Sequence, residues 1–205
     1  MMSRPKVAAL YVETDGCYFG LDGVEPWDIN RDARRYLGPH PVVAHPPCGR
    51  WCRLAGFVES RYGDRFKKHE DGGCFESALM MVRTWGGVLE HPADSSAFAK
   101  HGLARPVHGA WIRLFCGGWI TQVAQSSYGH QARKLTWLYY MGRSSPPILN
   151  WTTTRHTARV SRFTNRSAAR EGIRALSHQE ALATPIPFRD LLIEMAVKSR
   201  ESENP

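Results

Sequence analysis

The stretch Pro41-Val42-Val43-Ala44-His45-Pro46-Pro47-Cys48 decides how this chain is read. A short apolar run fits a buried strand. Two consecutive prolines cannot continue a hydrogen-bonded ladder, so the chain leaves the sheet at His45 and sets Cys48 in a turn. Two similar runs flank it. Residues 7–12 run into Thr14-Asp15-Gly16, and residues 87–89 run into Glu90-His91-Pro92. Each reads as a strand stopped by turn chemistry. Between the runs, residues 29–37 fit a short helix closed by Gly38-Pro39. Phe75, Ala78, Leu79 and Val82 fall at helical spacing and predict a helix over about 73–85. The charged residues 59–71 read as a loop.

Strand and helix therefore alternate, which predicts an α/β fold with a mostly parallel sheet and right-handed crossovers. Residues 119–124 and 135–141 read as two further strands, giving about five flanked by helices. The first strand is expected directly beside the one that leads to Cys48. A helix is expected over 111–115. Ser177-His178-Gln179-Glu180 has the pattern of a capping box, and Phe188, Leu191, Leu192 and Met195 mark a closing amphipathic helix. Residues 143–172 are polar and basic, with Arg155, Arg159, Arg162, Arg166 and Arg170, and read as an irregular insertion in one domain spanning 1–205.

The 205 residues suit a single domain, and a hydrophobic content of 42% is that of a globular chain. A formal charge of +8 favours an anionic partner, of which nucleic acid is the common one. No apolar run is long enough to span a membrane, and the N-terminus lacks a signal-peptide pattern. The five scattered cysteines read as reduced thiols in a cytoplasm. Cys48 and Cys52 have His45 and His69 nearby, but no second ligand pair follows at zinc-finger spacing, so no metal is expected.

Ligands of open parallel sheets bind outside the carboxyl ends of the strands. Glu13 and Asp15 follow the first strand, Cys48 the second and Glu90 the third. A thiol and a carboxylate at neighbouring strand ends can converge on one small ring. Taken singly, a cysteine is more often a small core hydrophobe and a glutamate a solvated charge. Their shared position after apolar strands favours a site.

These segments resemble the DNA cytosine-5 methyltransferase family. His45-Pro46-Pro47-Cys48 is similar to its Pro-Cys nucleophile loop, and some small phage-encoded relatives carry the same Ala-His-Pro-Pro-Cys. Glu90-His91-Pro92 is similar to its Glu-Asn-Val segment, with only the glutamate kept. Tyr128-Gly129-His130-Gln131-Ala132-Arg133-Lys134 resembles its Tyr-Gly-x-x-Gln-x-Arg-x-Arg segment, with the glutamine one place early. Residues 176–183 resemble the stretch before its last helix, and residues 10–23 align with its first loop.

The resemblance implies a shortened Rossmann-like, methyltransferase-type fold acting on DNA or a pyrimidine nucleotide. It implies that Cys48 adds to C6 of the ring, Glu90 holds the N3 edge and Arg133 steadies the base. His45, Pro47, Arg50, Gln131 and Lys134 would contact substrate. Arg155, Arg159, Arg162 and Arg166 would meet phosphates, which position without specifying. Glu13, Asp15 and Gly16 would lie where a donor or co-substrate binds.

Here the chain departs from the family, because Glu13 and Asp15 replace glycines that let the donor approach. Only residues 24–47 separate Gly23 from Cys48, room for one helix and one strand. Neither Asp28 nor Asp32 is assigned as the acid that holds the donor's ribose. S-adenosylmethionine is therefore a doubtful cofactor, and residues 143–172 stand in place of a target-recognition domain. Three readings follow: a pyrimidine-modifying enzyme without the usual donor, a methyltransferase with a reshaped donor pocket, and a non-catalytic nucleic-acid binder. The presence of both Cys48 and Glu90 argues against the third.

Overall fold

The computed structural model describes residues 6–152, 156–160 and 173–202. Among them seven strands form one sheet: β1 (Val7–Leu10), β2 (Val24–Trp27), β3 (Val42–Ala44), β4 (Gly87–Pro92), β5 (Ile112–Arg113), β6 (Trp119–Ala124) and β7 (Leu135–Met141). Their order is β2-β1-β3-β4-β7-β6-β5. The fold is α/β, and β1 lies beside β3 as expected. The expectation of about five mostly parallel strands is corrected: β2, β1, β3 and β4 are parallel, while β7, β6 and β5 are antiparallel.

The mixed sheet has a simple cause. Parallel neighbours need a long crossover, whereas a short connection returns the chain antiparallel. Helices α1 (Ala55–Tyr62) and α2 (Cys74–Trp85) cross over between β3 and β4. Only residues 125–134 join β6 to β7, so these two pair as a hairpin with Ala124 opposite Leu135.

The alternation of side chains divides the core into two layers. Ala8, Leu10, Val42, Ala44 and Leu89 pack with Phe75, Ala78, Leu79 and Val82 of α2. Val7, Ala9, Val43 and Val88 face the other way, against Phe188, Leu192, Met195 and Ala196. Those last four lie on α5 (Ile186–Lys198), which follows the capped α4 (His178–Leu182). The sheet is thus sandwiched between helices, and its inner strands are apolar on both faces, as buried parallel strands require.

Other local expectations change. Residues 59–71 are not all loop, because α1 and a 3-10 turn at Gly63–Arg65 occupy their first part. The helix has Ala55 as its buried residue, so it carries no apolar periodicity to read. Residues 29–37 form only a 3-10 turn at Ala33–Arg35. Instead of a helix over 111–115 there is β5, returned into β6 through Gly117-Gly118, and the helix of this region is α3 (Ser96–Lys100). A further pair, β8 (Ala158–Arg159) and β9 (Arg174–Ala175), stands apart from the main sheet.

Gly87 makes the β3–β4 contact possible. Its φ is +119°, and an added Cβ would stand 2.0 Å from the Val42 carbonyl oxygen. Gly87→Ala is expected to lower stability by at least about 2 kcal/mol through strain and this clash. Gly56→Ala, in open space on α1, should change it by less than about 1 kcal/mol. Urea unfolding of both variants checks the contrast.

Candidate functional site

Three parallel strands end on one edge, and their exits bring the chemistry together. After β3 the His45 amide donates to the Leu10 carbonyl at 3.0 Å, which extends the pairing one residue before the prolines turn away. The His45 ring then meets Glu90 of β4, with Nδ1 3.0 Å from Oε2. Its Nε2 lies 2.8 Å from the hydroxyl of Tyr18, in the turn after β1. The other Glu90 oxygen, Oε1, accepts from Gln125 Nε2 at 3.2 Å. Both ionisable partners are nearly sequestered, with side-chain exposures of 14% for His45 and 12% for Glu90.

Cys48 lines a cleft of about 940 Å³ together with Arg53, Arg133, Lys134, His156 and Arg159. Lys134 donates to the carbonyls of Leu182 and Ala183, both at 3.1 Å, at the end of α4. Its charge is felt by Cys48 and by Glu90. Burial, then the negative charge of Glu90 and the neighbouring Cys52, push the Cys48 thiol up, while Lys134 opposes them. Burial also presses on Glu90, but its hydrogen bond to His45 and the nearby positive groups win, so the carboxyl stays below the usual range. Burial lowers Lys134, against the pull of Glu90 and Cys48.

A second pocket, of about 500 Å³, lies at the ends of β1 and β2. Tyr11, Asp28, Ile29, Asp32, Pro47 and Cys74 are among its walls. Pro47 borders this pocket and Cys48 borders the cleft, so the loop after β3 is the partition between them. Asp28 stands immediately after β2. Its carboxylate accepts from Thr14 Oγ1 at 2.7 Å and from Asn30 Nδ2 and N, both at 3.0 Å. The Thr14 bond leads in holding this carboxyl below its ordinary range. Residues 24–47 therefore hold two strands and an acid after the outer one, more than their length suggested.

Compared with known protein families, curated proteins and solved structures, the chain matches none. The site is accordingly argued from its own geometry.

The residues singled out in the sequence fall in different places. Cys48, Arg133, Lys134 and Arg159 share the cleft, and His45 joins Glu90. Gln131 does not line it: its Oε1 accepts from Arg174 at 2.7 Å, and it borders a small separate pocket. Arg50 donates to the carbonyls of Arg65 and Lys67 and lies over the Phe66 ring at 3.9 Å, which ties the segment after Cys48 together. Glu13 and Asp15 are exposed, Gly16 closes a turn onto the Glu13 carbonyl, and none of the three lines either pocket. Arg155, Arg162 and Arg166, like Arg170, lie outside the described residues. Among the described residues no three His, Cys, Asp or Glu side chains group as metal ligands. Tyr18 and Gln125 carried no local sequence signal, because their partners lie 27 and 35 residues away.

His91, next to Glu90, is fully buried against the edge of Phe75. Neither ring nitrogen has a hydrogen bond of normal geometry, although the Pro47 carbonyl is near enough to favour the charged form. Burial dominates and lowers its pKa to about 4. The unfolded chain takes up this proton near pH 6.5 and the folded chain resists until about 4, so stability falls as pH drops through that window. The loss from this residue should reach roughly 3 kcal/mol. His91→Leu is expected to flatten the dependence of urea midpoint on pH between 6.5 and 4; an equally steep curve would reject the assignment.

Proposed function

We propose that this chain is a pyrimidine-modifying enzyme of the cytosine-5 methyltransferase type, on a shortened Rossmann-like scaffold. It acts on DNA or a pyrimidine nucleotide through addition of Cys48 to C6. The observation that carries the reading is that Cys48 and Lys134 line one cleft where β3, β4 and β7 come together, with Glu90 of β4 near enough for its charge to act on both.

The chemistry follows from the residue types. A thiolate bonds to C6, the C5–C6 π pair moves toward C5, and the ring charge spreads to the N3 edge. Glu90 meets that edge, and the proton that the Cys48 thiol gives up is taken by the Glu90–N3 pair and returned when the base is released. C5 then takes a proton from solvent, loses one, and the C6–S bond breaks to restore thiolate and base. At rest Cys48 is mostly thiol, because only the thiolate attacks and burial disfavours it. Lys134 is the cation placed to stabilise the thiolate once the cleft is filled. Arg53, Arg133 and Arg159 on the same cleft suit phosphate contacts. A base in a duplex would have to be flipped out to reach Cys48.

A second reading, a true methyltransferase, is favoured by the pocket across Pro47. Its volume of about 500 Å³ is within the range of small-ligand pockets, as an adenosyl group requires. Ile29 offers an apolar face at 90% exposure, and the Asp28 carboxylate, held by Thr14 and Asn30, is on this reading the acceptor for a ribose hydroxyl. S-adenosylmethionine would supply a methyl group for C5. Asp28 is then the anchor that the sequence left unassigned.

One experiment separates the readings. Cytosine and uracil oligonucleotides are incubated with the protein in D₂O, with and without S-adenosylmethionine, and their nucleosides weighed. Deuterium at C5 without donor supports the adduct, and methylation with donor supports the second reading. Neither product, with binding retained, leaves a non-catalytic binder. Cys48→Ser should reduce exchange by about a thousandfold or more while leaving affinity largely intact.

Binding should weaken with salt. Replacing Arg53, Arg133 and Arg159 together by glutamine should lower the slope of log affinity against log salt by about two to three. An unchanged slope places the phosphate face elsewhere.

A further inference from the structure

His45 occupies a position with more order than a residue that merely touches substrate would need. Tyr18 is 3% exposed, and burial pushes its hydroxyl well above the ordinary range, so it keeps its proton. Glu90 is ionised and its carboxylate can only accept, so His45 Nδ1 carries a hydrogen toward Oε2 at 3.0 Å. The Tyr18 hydroxyl, 2.8 Å from Nε2, donates to that nitrogen when the ring is neutral. A histidine's tautomer is set by what its other nitrogen meets.

The far oxygen of Glu90 is held as definitely. Gln125 Nε2 donates to Glu90 Oε1 at 3.2 Å and to Thr136 Oγ1 at 2.9 Å. Flipping that amide would turn its carbonyl toward a carboxylate, so its orientation is fixed. Glu90 is thus clamped from β3 on one oxygen and from the end of β6 on the other. Each oxygen can accept two hydrogen bonds and receives one from these partners, so each keeps one position for a ligand. The titratable groups around the pair are Tyr18, Cys48, His91 and Lys134, with Arg189 of α5 acting on Tyr18.

We propose that His45, locked by Tyr18, is a positioning residue for the pyrimidine chemistry: it fixes the carboxylate of Glu90 so that its remaining acceptor positions meet the N3 edge of the ring. This rests on the proposed addition of Cys48 to a pyrimidine. Without the clamp Glu90 turns on its side-chain bonds, and a misplacement of about 1 Å costs about a hundredfold in rate.

The test is the rate of C5 exchange in D₂O on the oligonucleotide base that the wild-type protein accepts. His45→Asn keeps an N–H where Nδ1 stood, and His45→Gln keeps a partner for Tyr18 but not for Glu90. H45Q should lose about a hundredfold in kcat with KM within about threefold. H45N should stay within about tenfold of wild type, and Tyr18→Phe should fall between them. H45Q exchanging like wild type, H45N falling as far as H45Q, or a loss confined to KM would each overturn the proposal. A wild-type protein that exchanges no pyrimidine ends the Cys48 reading and this inference with it, whereas exchange untouched by H45Q ends the inference alone. Should H45Q not fold, ¹⁵N NMR of the wild-type imidazole decides. A proton on Nδ1 with Nε2 bare is expected, and the reverse tautomer would overturn the assignment.

Discussion

The site depends on β3 being very short and paired on both sides. Three residues, Val42–Ala44, lie between β1 and β4, all fully buried. The strand is too short to hold register by itself. It is fixed instead by backbone bonds at each end: the Ala8 amide to Pro41, Val42 to Gly86, and His45 to Leu10. A slip of one residue would exchange its two faces and set Val43 against α2. Because the pairing is parallel, the exits of β1, β3 and β4 fall on one edge. The prolines that end β3 then place Pro47 toward one pocket and Cys48 toward the other.

That dependence explains what could be read from the chain. β1, β3, β4, β6 and β7 are short apolar runs with punctuated ends, and α2 and α5 carry apolar stripes. Such features are local and legible. β2 is not, since Val-Glu-Pro-Trp on a half-exposed edge has neither alternation nor a continuous apolar run. Its proline is tolerated because an edge strand can spare a donor. The antiparallel half was hidden for another reason: strand direction follows from connection length, not from strand composition. The same division holds in the site. Cys48 and Glu90 could be found as strand ends, whereas Tyr18 and Gln125 acquire meaning only when folding brings them to His45 and Glu90.

A buried carboxylate, amine and thiol at one place set each other's charge. Removing Glu90 from water is costly, and it stays ionised because His45 gives it a hydrogen bond and Lys134 brings a positive charge near it. The same negative charge then works against a thiolate at Cys48, so the arrangement that stabilises the acid keeps the thiol protonated. Lys134 favours both anions, but its own burial weakens it and two backbone carbonyls already hold it. The resting balance is therefore one anion at Glu90 and a neutral thiol. A ligand that shares a proton with Glu90 removes the charge that opposes Cys48 and excludes the water that screens Lys134, and both changes favour the thiolate. On the proposed chemistry, activation of Cys48 would in this way be coupled to the ring edge that Glu90 would read. A bare phosphate bound at the rim by Arg53 or Arg133 would leave Glu90 charged and Cys48 protonated, so charge attraction alone does not arm the site.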